Sequence, residues 1–189
     1  MSGAAVFTSY VEKLKEKKVE IKGDRVDILR ANPLAYDLSS EPLTDELPWQ
    51  ETEEFVPVMF ELWNELKEKM LPRFQTRKSR CDEDDMLQGI ISMIAMFYWI
   101  KGERVQTFEW ELIKQETFPV APINWTERLE FILLKPTQYH CFIQLDELYT
   151  ELKSSMENMK HLRKSDSSVK KSTCLLGKCF FIIHLLYEK

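Results

Sequence analysis

The residues that most invite a chemical interpretation are cysteines and histidines. Cys174, Cys179 and His184 follow one another with four residues between each pair. A zinc site needs four tetrahedral ligands and usually closely spaced cysteine pairs, and these residues stand among Leu, Phe and Ile with no fourth ligand at hand. We therefore expect cysteines that pack in an apolar environment, and no metal.

Cys141 stands beside His140, which suggests a thiol nucleophile with its base. Neighbours in sequence on a helix point about 100° apart and do not face each other. Cys141 is therefore predicted to be a small buried residue. The sequence also lacks a glycine-rich phosphate loop, a G-x-S-x-G elbow and an H-E-x-x-H metal motif. We predict no enzymatic activity and no cofactor.

A polar cluster falls on two helices joined by a short connection. His140 and Gln144 share a face because they are four residues apart. One interpretation is structural: Asn124 caps a helix in a variant of the capping box, and Arg128 reaches a carboxylate or the carbonyls of a helix end. The other is a recognition surface for a protein or small anion, with Arg128 as the anchoring donor. The candidate binding residues are Asn124, Glu127, Arg128, Tyr139, His140 and Gln144.

Two basic runs raise the possibility of nucleic-acid binding. The chain carries a net charge of −5, yet residues 158–189 hold seven basic and two acidic groups, which leaves −10 on the rest. Binding nucleic acid requires Lys and Arg to displace counterions from phosphates, so an acidic chain disfavours it. The plain interpretation of the first run is a solvated loop, neutralised in part by Asp82–Asp85. Its residues are Arg73, Arg77, Lys78 and Arg80; the second run spans 160–171.

The elements that must position these residues are predicted to be helices. A chain of 189 residues fits one domain. Its 44% hydrophobic and 30% charged residues, with only 5 Gly, favour packed helices over a sheet. Apolar residues recur at helical spacing over 7–14 and 55–70. Pro57 is tolerated if it lies in the first turn of the second helix, and Pro72 marks the end of that helix. Residues 19–50 are predicted to be loop-rich, with at most short helical pieces.

Residues 86–100 form the most apolar segment. Asp82–Asp85 supply a cap and an acidic first turn, and Gly102 supplies a stop. At 15 residues the apolar run is shorter than the ~20 that a membrane span needs, so it is predicted to be the core helix. Residues 104–118 are predicted to be helical or irregular. A short helix follows Asn124, and a long one occupies about 138–162, with Glu147 and Glu151 towards solvent.

Three segments carry a family resemblance: PINWTERLEFI (122–132), PTQYHCFIQL (136–145) and LYTELK (148–153). They resemble the C-terminal signature of the YpoC-like family, small proteins of Bacillus-type bacteria. The motifs ELW (61–63), FYW (97–99) and KGERV (101–105) are also similar. The resemblance covers roughly residues 50–160. It implies a helical cytoplasmic domain and brings no known activity with it.

Together these patterns predict an all-α fold, a compact helical bundle around a central apolar helix. The predicted organisation is an N-terminal helix and loop-rich segment (1–50), a helical domain (51–164), and a linker with a short apolar tail (165–189). The tail is open to three interpretations: a terminal strand or helix, a membrane contact, or an altered reading frame. The opening residues lack the apolar run of a signal peptide, so we expect a cytoplasmic protein with free thiols and no membrane span.

Two classes of function fit this sequence. The first is a non-enzymatic protein-interaction or accessory module, whose surface would be the grooves flanking Trp63, Trp99 and Trp110 if these are exposed. The second is a nucleic-acid-associated accessory protein that uses the two basic runs. The sequence identifies neither the protein partner nor the oligomeric state.

Overall fold

The computed structural model describes residues 3–17, 20–39, 46–75 and 80–159. Within these ranges the regular secondary structure is helical, which confirms the all-α prediction. In the same ranges the β-type backbone pairing consists of one isolated antiparallel bridge between Arg80 and Gln138. The described residues up to 152 belong to one compact unit, and residues 153–159 lie beyond its boundary. The helices are α1 (Gly3–Glu16), α2 (Arg25–Ala31), α3 (Ala35–Leu38), α4 (Thr52–Phe74), α5 (Glu83–Lys101), α6 (Trp110–Ile113), α7 (Trp125–Leu134) and α8 (139–159).

The N-terminal part has one amphipathic helix, as predicted, followed by two short helices in the segment that was predicted to be loop-rich. Helix α1 buries the apolar residues whose spacing predicted it, Phe7, Tyr10, Val11 and Leu14. Asp24 caps α2 by accepting a hydrogen bond from the backbone N–H of Val26 at 2.7 Å. Within the predicted loop-rich segment, α2 and α3 are therefore helical pieces of seven and four residues.

Helix α4 is longer than its proline pattern suggested. It begins at Thr52, so Pro57 lies in the second turn, where its missing N–H removes one helical hydrogen bond. The prediction that Pro72 marks the end is also wrong, because the helix continues to Phe74. Proline restricts the residue before it more than the residues after it, so a last turn can still form beyond Pro72.

Helix α5 has the predicted boundaries. Asp82 caps it by accepting from the N–H of Asp84 at 3.2 Å. Gly102 ends it in the left-handed region at φ 86°, and its N–H donates to the carbonyl of Trp99 at 2.9 Å. The side chains from Asp85 to Trp99 are buried except for the half-buried Gln88, and α5 packs on α4 and α1. Burying this many large apolar side chains stabilises the fold by roughly 1.5–3 kcal/mol each.

Residues 146–149 of α8 contact α4 at Trp63 and α5 at Gly89. The Trp63 indole stacks on the Tyr149 ring at 4.5 Å, with 4° between the planes, and its Nε1 donates to Asp146 Oδ1 at 3.0 Å. The Tyr149 hydroxyl donates to the carbonyl of Gly89 at 2.7 Å. These contacts hold residues 146–149 of α8 against α4 and α5.

Residues 104–118, which the sequence left open between helix and irregular structure, contain only the short helix α6 and otherwise irregular backbone. Val105, Ile113 and Phe118 are buried, so this segment covers the core without forming a long helix. Within it the Trp110 indole donates to Glu130 of α7 at 3.2 Å, which ties the segment to α7.

Candidate functional site

The predicted polar cluster is partly assembled by α7 and α8. Arg128 donates from Nη1 to Glu151 Oε1 at 2.7 Å and from Nε to Gln144 Oε1 at 3.3 Å. Its Nη2 lies 3.5 Å from Glu147 Oε2, which also accepts from Gln144 Nε2 at 2.8 Å. The Arg128 side chain is only 18% exposed. These four residues therefore form one network that joins the two helices.

Glu147 and Glu151 were expected to lie mostly towards solvent, and 54% and 43% of their side-chain surfaces are exposed. Their carboxylates also contact Arg128, which the expectation did not include. Gln144, Glu147 and Glu151 follow at i, i+3 and i+7 on α8, so they share one face and meet Arg128 together. The same spacing from His140 could have included them in the predicted cluster. A carboxylate pair around a largely buried guanidinium gives charge-assisted hydrogen bonds, which are stronger than neutral ones.

The N-terminal end of α7 differs from the predicted capping box. Asn124 occupies the N-cap position, but its φ is 53° and its side chain makes no capping hydrogen bond. The left-handed backbone, which asparagine tolerates better than most residues, changes the side chain's direction. Glu127 instead accepts from the Thr126 hydroxyl at 2.8 Å, and this bond, with one from its own backbone N–H, lowers the pKa of Glu127.

Tyr139 and His140, adjacent at the start of α8, each contact an aromatic ring of another helix. The Phe131 and His140 rings are 5.4 Å apart, and the Tyr139 and Phe74 rings are 5.1 Å apart. Phe131 is 48% exposed, Tyr139 51% and Leu134, one turn after Phe131, 63%. We call this surface the exposed aromatic face; it consists of Phe74, Phe131, Leu134, Tyr139 and His140.

The exposed aromatic face holds much of the large apolar surface that the described residues expose. Six large apolar side chains in those residues are markedly exposed, and Phe131, Leu134 and Tyr139 are three of them. Leu71, 39% exposed, lies one turn before Phe74 on α4. Single exposed apolar residues are ordinary, whereas neighbouring ones mark a binding surface. The Arg128 network borders this face along α8.

The three tryptophans that would have flanked an interaction groove are buried. Trp63, Trp99 and Trp110 are between 0% and 2% exposed, so the surface expected around them does not exist. Each indole N–H donates to a carboxylate: Trp63 to Asp146, Trp99 to Asp37 and Trp110 to Glu130. Satisfying that N–H is what allows so large an amphipathic side chain to be buried.

Asp37 is an ionisable residue of the interior that the sequence did not reveal. It is 4% exposed and accepts from the N–H of Val105 at 2.8 Å and from the Trp99 indole at 3.3 Å. Burial raises its pKa to about 7, against the opposing effect of these donors. The Arg104 guanidinium donates to the carbonyls of Asp37 and Ser39. A single Asp in a loop-rich segment has no sequence pattern that would predict its burial or its raised pKa.

The first basic run is only partly described. Arg73 Nη1 lies 3.5 Å from Asp82 Oδ2. This ion pair agrees with the prediction that the acidic cap of α5 partly neutralises the run. Arg80 is exposed and its backbone pairs with Gln138. Arg77 and Lys78 lie outside the described residues, as does the second run at 160–171. The nucleic-acid alternative therefore stays a prediction.

The described cysteines are free and buried. Burial raises the pKa of the Cys81 thiol to about 11 and also raises that of Cys141. Since the thiolate is the nucleophilic form, this environment disfavours nucleophilic chemistry at either residue. Cys174, Cys179 and His184 lie outside the described residues. Among the residues that are described, no group of three or more potential metal ligands comes together, and no helix is long and apolar enough to cross a membrane.

Comparison with known proteins gives a family match and one informative relative. The family model described as YpoC-like protein matches residues 53–164. Over 148 residues the chain is 47% identical to "Uncharacterized protein YpoC" of Bacillus subtilis (strain 168), which covers 78% of this chain and 90% of the relative. No solved structure matches. The matched region contains α7, α8 and the exposed aromatic face.

Proposed function

Since the chain belongs to the YpoC-like family, and the name of its matched relative states no activity, we propose from its own structure that it is a non-enzymatic protein-interaction module. The exposed aromatic face is the contact surface. The observation that carries the proposal is that the adjacent residues Tyr139 and His140 of α8 reach two further helices, Tyr139 by its ring contact with Phe74 of α4 and His140 by its ring contact with Phe131 of α7. Phe131 and Tyr139 remain about half exposed at these contacts.

The chemistry of the face suits protein binding. Aromatic residues contribute large, rigid contact areas at low cost in side-chain entropy, and they are enriched at interface centres. Protein interfaces usually have a polar rim around an apolar centre. The Arg128 network with Gln144 and Glu151 supplies such a rim beside the exposed aromatic face. Because the acceptors already hold the guanidinium in place, this rim is pre-organised, which lowers the entropy lost on binding.

The non-enzymatic part of the proposal rests on where the reactive groups lie. The Cys81 and Cys141 thiols are buried with raised pKa values. Asp37, whose pKa is near neutrality, has two hydrogen-bond donors on its carboxylate and is buried away from solvent. These groups are buried and are not presented to a substrate.

Site-directed photo-crosslinking tests the proposal. A benzoylphenylalanine replaces Leu134 in the full-length chain, expressed in its native host. The matched control replaces Glu53, an exposed residue near the start of α4 and roughly 31 Å along that helix from Phe74. We expect a discrete protein adduct from position 134, absent from position 53 and lost when Tyr139→Ser is added.

Two results would contradict the proposed function. One is the lack of any protein adduct from position 134, a second copy of the chain included. The other is the same set of adducts from positions 134 and 53, since that would show contact without a preferred surface. Circular dichroism of Tyr139→Ser is needed beside these measurements, to show that the helical fold persists.

A further inference from the structure

The exposed aromatic face has a directional arrangement of charge around it. Helices α7 and α8 run antiparallel here, because Arg128 meets Glu147 and Glu151 whereas Phe131, further along α7, meets the earlier residue His140. The face therefore has two distinguishable ends along α8. The aromatic rings lie between them.

The end towards the middle of α8 is acidic. It carries the carboxylates of Glu127, Glu147 and Glu151 and one guanidinium, that of Arg128, so its net charge is negative. Glu147 is well exposed, with 54% of its side-chain surface accessible. Its carboxylate can therefore meet a charge on another molecule.

The opposite end is basic. Lys135, the C-cap residue that follows α7, lies four residues beyond Phe131 and is exposed. Arg80, also exposed, pairs through its backbone with Gln138, immediately before α8. With a rise of ~1.5 Å per residue, Lys135 lies about 6 Å to one side of the Phe131–His140 contact, and Glu147 about 10 Å to the other.

We infer that the partner of this face is a second copy of the same chain. The two copies are related by a two-fold axis that passes through the aromatic rings near Phe131 and His140. The inference rests on the proposed function, since it names the partner of that same surface. A two-fold axis places each residue's contacts symmetrically on both copies. It brings Lys135 of one copy to Glu147 of the partner subunit, and repeats that pair on the other side.

In this dimer the apolar surface of one copy meets the apolar surface of the other, and each basic end meets an acidic end. The aromatic rings of the two copies exclude water at the centre, while the two Lys135–Glu147 pairs fix the register and disfavour the parallel orientation. A face with charge of one sign at both ends would repel its own copy. The separation of acid and base across the rings is what makes this face complementary to itself.

Sedimentation velocity of the full-length chain over a wide concentration range tests the inference. We expect a species of twice the monomer mass of 22.5 kDa. Lys135→Glu and Glu147→Lys should each weaken the dimer by roughly tenfold or more, because either change creates two like-charge contacts per dimer. An equimolar mixture of the two variants should regain the dimer, since both opposite-charge pairs re-form between unlike copies.

A monomeric wild-type chain at every concentration overturns the inference, as does a dimer that neither charge variant weakens. Lys135→Glu changes an exposed residue at a helix end, so it remains informative if Glu147→Lys disturbs the Arg128 network. Failure here differs from failure of the proposed function. An adduct from position 134 to a different protein, with a monomeric chain, refutes the second copy and leaves the interaction module standing.

Discussion

Gly89 is the position where a single methyl group should be least tolerated. A Cβ at residue 89 would lie 2.6 Å from Trp63 Cζ3 and 3.1 Å from Leu145 Cδ2. The Trp63 ring is held by its stack on Tyr149 and by its bond to Asp146, so it has little freedom to move away. Gly89→Ala therefore forces either the indole or α5 itself to shift.

The magnitude follows from two opposing effects. Overpacking a filled core costs about 1–3 kcal/mol, and a weakened Trp63–Asp146 bond adds about 1 kcal/mol. Replacing glycine by alanine inside a helix contributes about 0.5–1 kcal/mol in the other direction. We expect a net loss of about 2 kcal/mol in the free energy of unfolding. For a chain of this size that lowers the melting temperature by about 4–8 °C.

Urea and thermal unfolding, followed by circular dichroism and tryptophan fluorescence, measure this loss. The matched control is the same substitution in a Trp63→Phe background, because a phenyl ring lacks the indole atoms Cε3 and Cζ3 that the methyl group would meet. There Gly89→Ala should cost little or even stabilise the helix. An equal loss in both backgrounds would refute the steric explanation, and so would a Gly89→Ala protein as stable as the wild type.

Three further predictions concern the core, the Arg128 network and the basic runs. Ile94→Asp places a charge at a site that is 3% exposed, costs several kcal/mol, and should abolish the cooperative melt; a fully stable variant would exclude this burial. Arg128→Ala should lower the free energy of unfolding by about 1–2 kcal/mol, with a smaller loss for Arg128→Lys, and equal urea midpoints for wild type and Arg128→Ala would contradict that. Fluorescence anisotropy should detect only salt-sensitive binding to DNA or RNA; tight binding at physiological salt, lost in Arg77→Glu, Lys78→Glu, would show the nucleic-acid alternative to be right.

Local signals in the sequence located the helices well. Asp82 and Gly102 mark the ends of α5 because a cap and a left-handed stop depend on neighbouring backbone groups alone. The same local logic failed at Pro72, where the helix continues for one more half-turn, and at Asn124, where the left-handed backbone turns the side chain away from its capping role. In both places the residue type permits more than one backbone geometry.

The candidate site was predictable in part. The spacing of His140 and Gln144 indicated a shared face, and Arg128 belongs to it. What the spacing could not show is exposure, which depends on the helices that cover a residue. Trp63, Trp99 and Trp110 are residues of a type common at interfaces, but they are buried. The exposed aromatic face instead uses Tyr139, which the predicted cluster included, and Phe131, which it did not.

The burial of Asp37, which the sequence does not indicate, should make the free energy of unfolding depend on pH. In an unfolded chain an aspartate has a pKa near 3.8, whereas burial raises that of Asp37 to about 7 in the fold. Between these two values the folded state binds the proton that the unfolded state has released. The free energy of unfolding therefore falls as pH rises from about 4 to 7, by at most about 4 kcal/mol from this group.

Asp37→Asn removes this titration while keeping an oxygen that can accept from the N–H of Val105. We expect the variant to lose less stability than the wild type between pH 5 and pH 8, measured by urea unfolding at each pH. Asp27→Asn, at an exposed position on α2, controls for the loss of one negative charge. Curves for wild type and Asp37→Asn that stay parallel over this range would mean that Asp37 is ionised throughout. The donors from Val105 and Trp99 would then outweigh the cost of burying the charge.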